Sequence, residues 1–174
     1  MILPPDTERI RFRPYQREDV ALVLEMFSDP DARRFYPSID GPHAAETWIA
    51  WSRDLYDTTG FGMWAIEHVE TGEFLGDCGL TLQPVEGESM LEVGYHLTQS
   101  HRGRGYATEA GIVCRNHAFE ALGSSEVCSV VDPLNEASRA VASRIHAQSR
   151  TFTNHEGREM CLYWTSRRSG LTER

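Results

Sequence analysis

The chain has 174 residues, 40% of them hydrophobic and 25% charged, with a formal net charge of −9. That is one domain's length and enough to bury a core, and no apolar run approaches the ~18 residues that a membrane span needs. The acidic balance argues against general binding to nucleic-acid phosphates and suits a cationic amine or a basic protein tail.

The opening Met1-Ile2-Leu3-Pro4-Pro5-Asp6 has neither a basic flank nor a long apolar stretch. A secretory leader is therefore not expected, and the cytoplasm is. Apolar and charged residues alternate from Glu8 to Arg13, as in a half-buried strand that Pro14 ends. Val20, Val23, Leu24 and Phe27 recur at helical spacing. Ser28-Asp29-Pro30-Asp31 breaks that helix and can cap a short one through Phe35. A loop from Pro37 to Pro42 leads to a long helix from His43 to Tyr56, with Trp48, Trp51 and Leu55 on one face and a stop at Thr59-Gly60.

The middle reads as a meander. One strand runs from Gly62 to His68, a second from Phe74 to Leu82 and a third from Met90 to Leu97, with turns at Glu70–Glu73 and Pro84–Glu88. A helix from about Gly105 to Leu122 closes at Gly123. Glu126 to Val131 is a buried strand, Asn135 to Ile145 a helix, and Thr151–Asn154 with Glu159–Trp164 a last hairpin turning at His155-Glu156-Gly157. The four cysteines form no Cys-x-x-Cys pair and sit in apolar text, as buried reduced thiols do. No metal-ligand spacing is present, so no metal is expected.

Arg102-Gly103-Arg104-Gly105-Tyr106-Ala107-Thr108-Glu109-Ala110 is the most informative run. It is a glycine-bearing turn that leaves a strand and opens a helix. The first N–H groups of a helix lack intrahelical acceptors, and the peptide dipoles concentrate positive charge there. Glycine lets backbone close on a phosphate, and Arg102 and Arg104 add mobile positive charge. The run reads as a pyrophosphate cradle. Neither Gly-x-x-x-x-Gly-Lys-Ser/Thr nor Gly-x-Gly-x-x-Gly occurs in it.

Arg102-x-x-Gly105-x-Ala107 resembles the acyl-CoA pyrophosphate loop of the GCN5-related N-acetyltransferases. Gly-Tyr-Ala-Thr-Glu-Ala, after Tyr95-His96-Leu97, is most similar to the RimJ/RimL-like branch, which acetylates ribosomal-protein N-termini. The order of elements agrees along nearly the whole chain. The resemblance implies an α+β (mixed α/β) single domain over residues 1–168. Its mostly antiparallel sheet of six to seven strands would splay between strands 4 and 5, flanked by about four helices, before a frayed tail over 169–174. It further implies acetyl-CoA as cofactor and an amine acceptor, either a small molecule or a protein N-terminus. No nucleic-acid or membrane partner is expected, and a homodimer is conceivable from the hairpin-ended sheet.

Residue by residue, the resemblance assigns Tyr95, His96 and Leu97 as backbone partners of the pantetheine arm. The residues Arg102, Gly103, Arg104, Gly105, Tyr106, Ala107 and Thr108 form the cradle. Asn135 and Ser138 become cofactor contacts, with Ser138 also within reach of the sulfur. An amine must lose a proton before it attacks a thioester. Glu92 shares a strand face with Gly94 and His96, so Glu92 and His96 are the expected bases, with Glu156 further off. Phe35 and Tyr36 are expected on the acceptor side, and Trp48 and Trp51 there or in the core. Departures from the family pattern are Ala142 where many members carry a tyrosine acid, Val130 where some carry a glutamate base, and His146-Ala147 after the last helix. They motivate a second reading, a non-catalytic CoA-binding regulatory module.

Overall fold

The computed structural model describes residues 1–167, so the tail expected over 169–174 lies outside the described residues. β1 (Ile10–Arg13), β2 (Met63–His68), β3 (Phe74–Val85) and β4 (Glu88–Leu97) pair antiparallel in sequence order. β5 (Glu126–Val131), β6 (Gln148–Thr153) and β7 (Glu159–Ser166) form a second antiparallel group. The seven strands make one sheet in the order β1-β2-β3-β4-β5-β7-β6. β4 and β5 are its parallel pair, joined by the crossover that parallel strands need, here α4 (Tyr106–Glu120).

The sheet is buried on both faces near its centre. Alternation along β2 sends Trp64 and Ile66 toward α4, where they pack with Ala110, Cys114 and Ala118. Met63 and Ala65 face α1 (Val20–Phe27) and α3 (Pro42–Thr58), among Val23, Met26, Phe27, Ala45 and Ile49. Among the described residues, α2 (Pro30–Phe35) and α5 (Glu136–Ile145) complete five α-helices, where about four were expected. Asp29 makes the short α2 possible, its carboxylate accepting the N–H groups of Asp31 and Ala32.

Two element expectations need correction. The buried side of α3 is Ala45, Ile49, Ser52 and Tyr56, whereas Trp51 is 39% exposed. The β3–β4 turn is Glu86-Gly87 alone, with φ of 51° and 90°, as a two-residue hairpin requires. Pro84 therefore stays in β3, opposite Ser89. The four cysteines are free and buried.

β4 and β5 share one register pair, Glu92 with Cys128, and then part. Side chains supply the last rungs. The Ser129 hydroxyl donates to the Val93 carbonyl (2.7 Å), and the Glu92 carboxylate accepts the Val130 N–H (2.9 Å). Further along, the Tyr95 hydroxyl crosses the opening to the Ser138 carbonyl of α5 (2.8 Å). Gly76 lets β3 close on the end of β4. A Cβ there would collide with the His96 carbonyl oxygen, and its φ is +148°.

Candidate active site

A cavity of about 1370 Å³ takes in Tyr95, His96 and Leu97 at the end of β4, beyond the point where β4 leaves β5. Gly103, Gly105, Ala107 and Thr108 line it, as do Phe27, Phe35 and Tyr36. Asn135 and Ser138 at the start of α5 line it too.

The cradle is built of peptide groups. Gly103 and Gly105 have φ of 75° and 86°, a left-handed conformation that costs glycine nothing. That conformation turns successive N–H groups toward one side before α4 begins. The Gly105 carbonyl accepts the Glu109 N–H at 3.0 Å. Among the described residues, the N–H groups from Gly103 to Thr108 find no acceptor. Ideal Cβ atoms at Gly103 and Gly105 meet little, so the concavity is not filled by protein. Such a row of donors at a helix start fits a diphosphate.

The arginines behave otherwise than expected. Arg102 is fixed. Its guanidinium forks onto Asp29 (2.7 and 3.0 Å) and reaches the Leu97 carbonyl (3.2 and 3.3 Å). Although burial acts the other way, this pairing holds the Asp29 carboxyl below its usual range. Arg104 is exposed and does not line the cavity. Tyr106 turns inward, with Arg9 over its ring at 4.7 Å. On this stretch both residues offer peptide N–H groups, the Arg104 side chain standing in solvent and that of Tyr106 buried. Arg9, read from sequence only as a strand residue, also pairs with Glu109 and donates to the Arg104 carbonyl (3.2 Å), while Thr7 donates to Glu109 (2.6 Å). Arg34 and Arg144 are further cavity-lining cations that the sequence reading missed.

The backbone of β4 divides its groups by alternation. Thr98 donates its N–H to the Leu75 carbonyl at 3.0 Å, and His96 lies opposite Asp77. Peptide bonding in an antiparallel pair recurs every second residue. His96 therefore spends its peptide groups on β3, and Tyr95 and Leu97 present theirs to the opening. His96 is thus corrected as a backbone partner for a bound arm, and the Leu97 carbonyl is already taken by Arg102. Asn135 caps α5, accepting the Ser138 N–H at 3.1 Å.

The two expected bases separate. Glu92 does not line the cavity. Its second oxygen accepts the Thr81 hydroxyl at 3.2 Å, and burial pushes its carboxyl up to about 7. It therefore serves the sheet where the strands part. His96 does line the cavity, and its Nδ1 lies 2.7 Å from an oxygen of Asp77. Glu156 is exposed in the β6–β7 turn and away from the cavity. Phe35 and Tyr36 line it as expected, while Trp48 and Trp51 do not. Asp77 was not singled out from sequence. The described residues hold no cluster of three or more metal-ligating side chains, and none of their helices is long and apolar enough to cross a membrane.

A central sheet parted at one strand pair, with bare amides at the mouth of the following helix, defines a protein built to hold an extended, phosphate-bearing acyl carrier. The model of the acetyltransferase (GNAT) domain matches residues 9–148, and the chain belongs to this family, whose members take their acetyl group from acetyl-CoA. The uncharacterized protein YkkB of Bacillus subtilis is 34% identical over 140 residues, covering 80% of this chain and 81% of that protein. The crystal structure of an acetyltransferase from Agrobacterium tumefaciens superposes with a TM-score of 0.79 at 29% identity, over 96% of each chain. A ribosomal L7/L12 α-N-protein acetyltransferase solved with coenzyme A has a TM-score of 0.72, covering 94% of this chain and 97% of its own. At 17% identity it speaks for the fold alone.

Proposed function

We propose that this chain transfers an acetyl group from acetyl-CoA to a primary amine, on a small molecule or at a protein N-terminus, by direct attack. The observation that carries the reading is the unaccepted row of N–H groups from Gly103 to Thr108, set where β4 and β5 part. These groups would hold the diphosphate, and the peptide groups of Tyr95 with the N–H of Leu97 would receive the extended arm as an added strand. Asn135 and Ser138 stand at the α5 side of the same channel. Bound acetyl-CoA supplies an activated thioester. The chain's own part is to orient it, to take a proton from the ammonium and to steady the carbonyl oxygen.

The Leu97 N–H faces the opening and is the donor suited to a developing oxyanion. His96 is the cavity-lining group suited to take the amine proton. Phe35 and Tyr36 give the acceptor end aromatic walls. Within the family, the ribosomal N-terminal branch is supported by the Gly-Tyr-Ala-Thr-Glu-Ala text. Small amines fit equally well, and a panel decides between them.

The test is thiol release from acetyl-CoA with and without amines, using polyamines, aromatic amines and N-terminal peptides of ribosomal proteins. Release above the amine-free rate supports transfer. Tight CoA binding without release toward any amine supports the regulatory module instead, which the alanine at position 142 and the engagement of Glu92 within the sheet would then explain.

A further inference from the structure

Asp77 is fully buried in β3 and has no packing reason to be a carboxylate. Its Oδ2 accepts the Tyr15 hydroxyl (2.9 Å) and the Trp48 indole N–H (3.1 Å). Its Oδ1 lies 2.7 Å from His96 Nδ1. The donors come from three separate places in the chain, the segment after β1, α3 and β4, and converge on one side chain. The imidazole is held further by rings packed around it, Tyr36 at 4.6 Å, Phe27 at 5.1 Å and Trp48 at 5.4 Å between centroids. Among the described residues its Nε2 has no hydrogen-bond partner, and the residue lines the cavity.

We propose that Asp77 is a positioning residue that fixes the tautomer of His96, so that Nε2 is the atom that takes the proton of the incoming amine. An indole N–H can only donate, and the phenol proton is likewise directed at Oδ2. As an ionised carboxylate Asp77 only accepts, so Oδ1 takes the imidazole N–H and the ring carries its proton on Nδ1. The free lone pair then sits on Nε2 and faces the acceptor end. The inference rests on the acetyl-transfer reading and deepens it. In the step, the ammonium gives a proton to Nε2 and the amine lone pair forms the C–N bond. The C–S bond breaks with its electron pair on sulfur, the nitrogen's second proton passes to that sulfur so that it leaves as a thiol, and the proton on Nε2 is then released to solvent. The titratable groups around His96 are Asp77 from β3 and Tyr36 after α2 in contact with it, Tyr15 reached through Asp77, and Glu92 of β4 at longer range. Phe27 and Trp48 carry no charge.

Asp77→Asn gives a sharp test. Tyr15 and Trp48 still demand an acceptor at the Oδ2 place, so the amide oxygen goes there and the NH₂ turns to His96. An NH₂ donates to Nδ1, which moves the ring proton to Nε2 and blocks the base. Long-range 15N NMR of the full, labelled chain reads the tautomer directly, with His96 assigned through His96→Gln. The expected result is protonation at Nδ1 in the wild type and at Nε2 in Asp77→Asn. With the fastest amine of the panel, turnover should fall at least about 100-fold in Asp77→Asn, the limb of the pH–rate profile set by the base should change, and CoA affinity by calorimetry should hold.

A wild-type His96 protonated at Nε2 overturns the proposal even if the variant fails to fold. A flipped tautomer with turnover within twofold of wild type overturns the role of His96 as base. Absence of thiol release by the wild type with every amine overturns acetyl transfer itself, and is separate because the tautomer is read without turnover.

Discussion

Two buried groups near the strand parting make opposite demands on acid, and their balance can be measured. Burial raises the Glu92 carboxyl from an ordinary 4.5 to about 7. Burial, with Arg115 nearby, lowers the His146 imidazole from 6.5 to about 4. Glu92 binds its proton more tightly when folded, so its contribution to stability is full below pH 4.5 and is lost as pH rises through 7. His146 binds its proton less tightly when folded, so its contribution is full above pH 6.5 and is lost as pH falls through 4. One proton of difference changes stability by about 1.4 kcal/mol per pH unit. From pH 5 to 6.5 each group therefore contributes about 2 kcal/mol, with opposite sign, and the two cancel.

Glu92→Gln keeps an acceptor for the Val130 N–H and a partner for Thr81 while removing one side of the balance. Its stability relative to wild type should climb by about 2 kcal/mol from pH 5 to pH 6.5. His146→Gln should show the reverse. Urea unfolding at both pH values measures this, and titrations elsewhere drop out because they are common to wild type and variant. Parallel profiles for wild type and Glu92→Gln would refute the assignment of Glu92 as a buried, proton-retaining strut.

Gly105→Glu sets a side chain into a left-handed backbone position (φ 86°) and a carboxylate against the cradle; CoA binding by calorimetry should vanish. Gly111→Ala would drive a methyl into Ile145 Cδ1, destabilising by about 1–3 kcal/mol, and Ile145→Val should return part of the loss in thermal unfolding. Asp29→Ala removes both the α2 cap and the partner of Arg102. It should cost at least about 1 kcal/mol of stability and raise the KM for the amine. The four buried cysteines should resist a thiol reagent in native buffer and react fully in urea; fast native labelling would contradict their burial.

Most of the fold was legible because its punctuation is local. Asp29-Pro30 starts α2, Gly60 and Gly123 follow helix ends, and alternation marks β1. The cradle was legible for the same reason, since its donors are consecutive peptide groups. Asp77 escaped notice because its partners, Tyr15, Trp48 and His96, are distant in sequence and no spacing rule joins them. One signal was available. A two-residue turn at Glu86-Gly87 sets the hairpin register that places Asp77 opposite His96. Putting Pro84 in the turn hid that pairing. Arg102 was misjudged for a related reason. Beside two glycines it reads as a phosphate ligand, but its counter-charge at Asp29 lies far back in the chain and was invisible until the helices were placed.

That ion pair has a consequence for the cavity wall. One guanidinium touches the end of β4 and the N-cap of α2, two stretches that both border the cavity. A single substitution at Arg102 therefore cuts a tie shared by both, and its effect belongs to the pair of walls together.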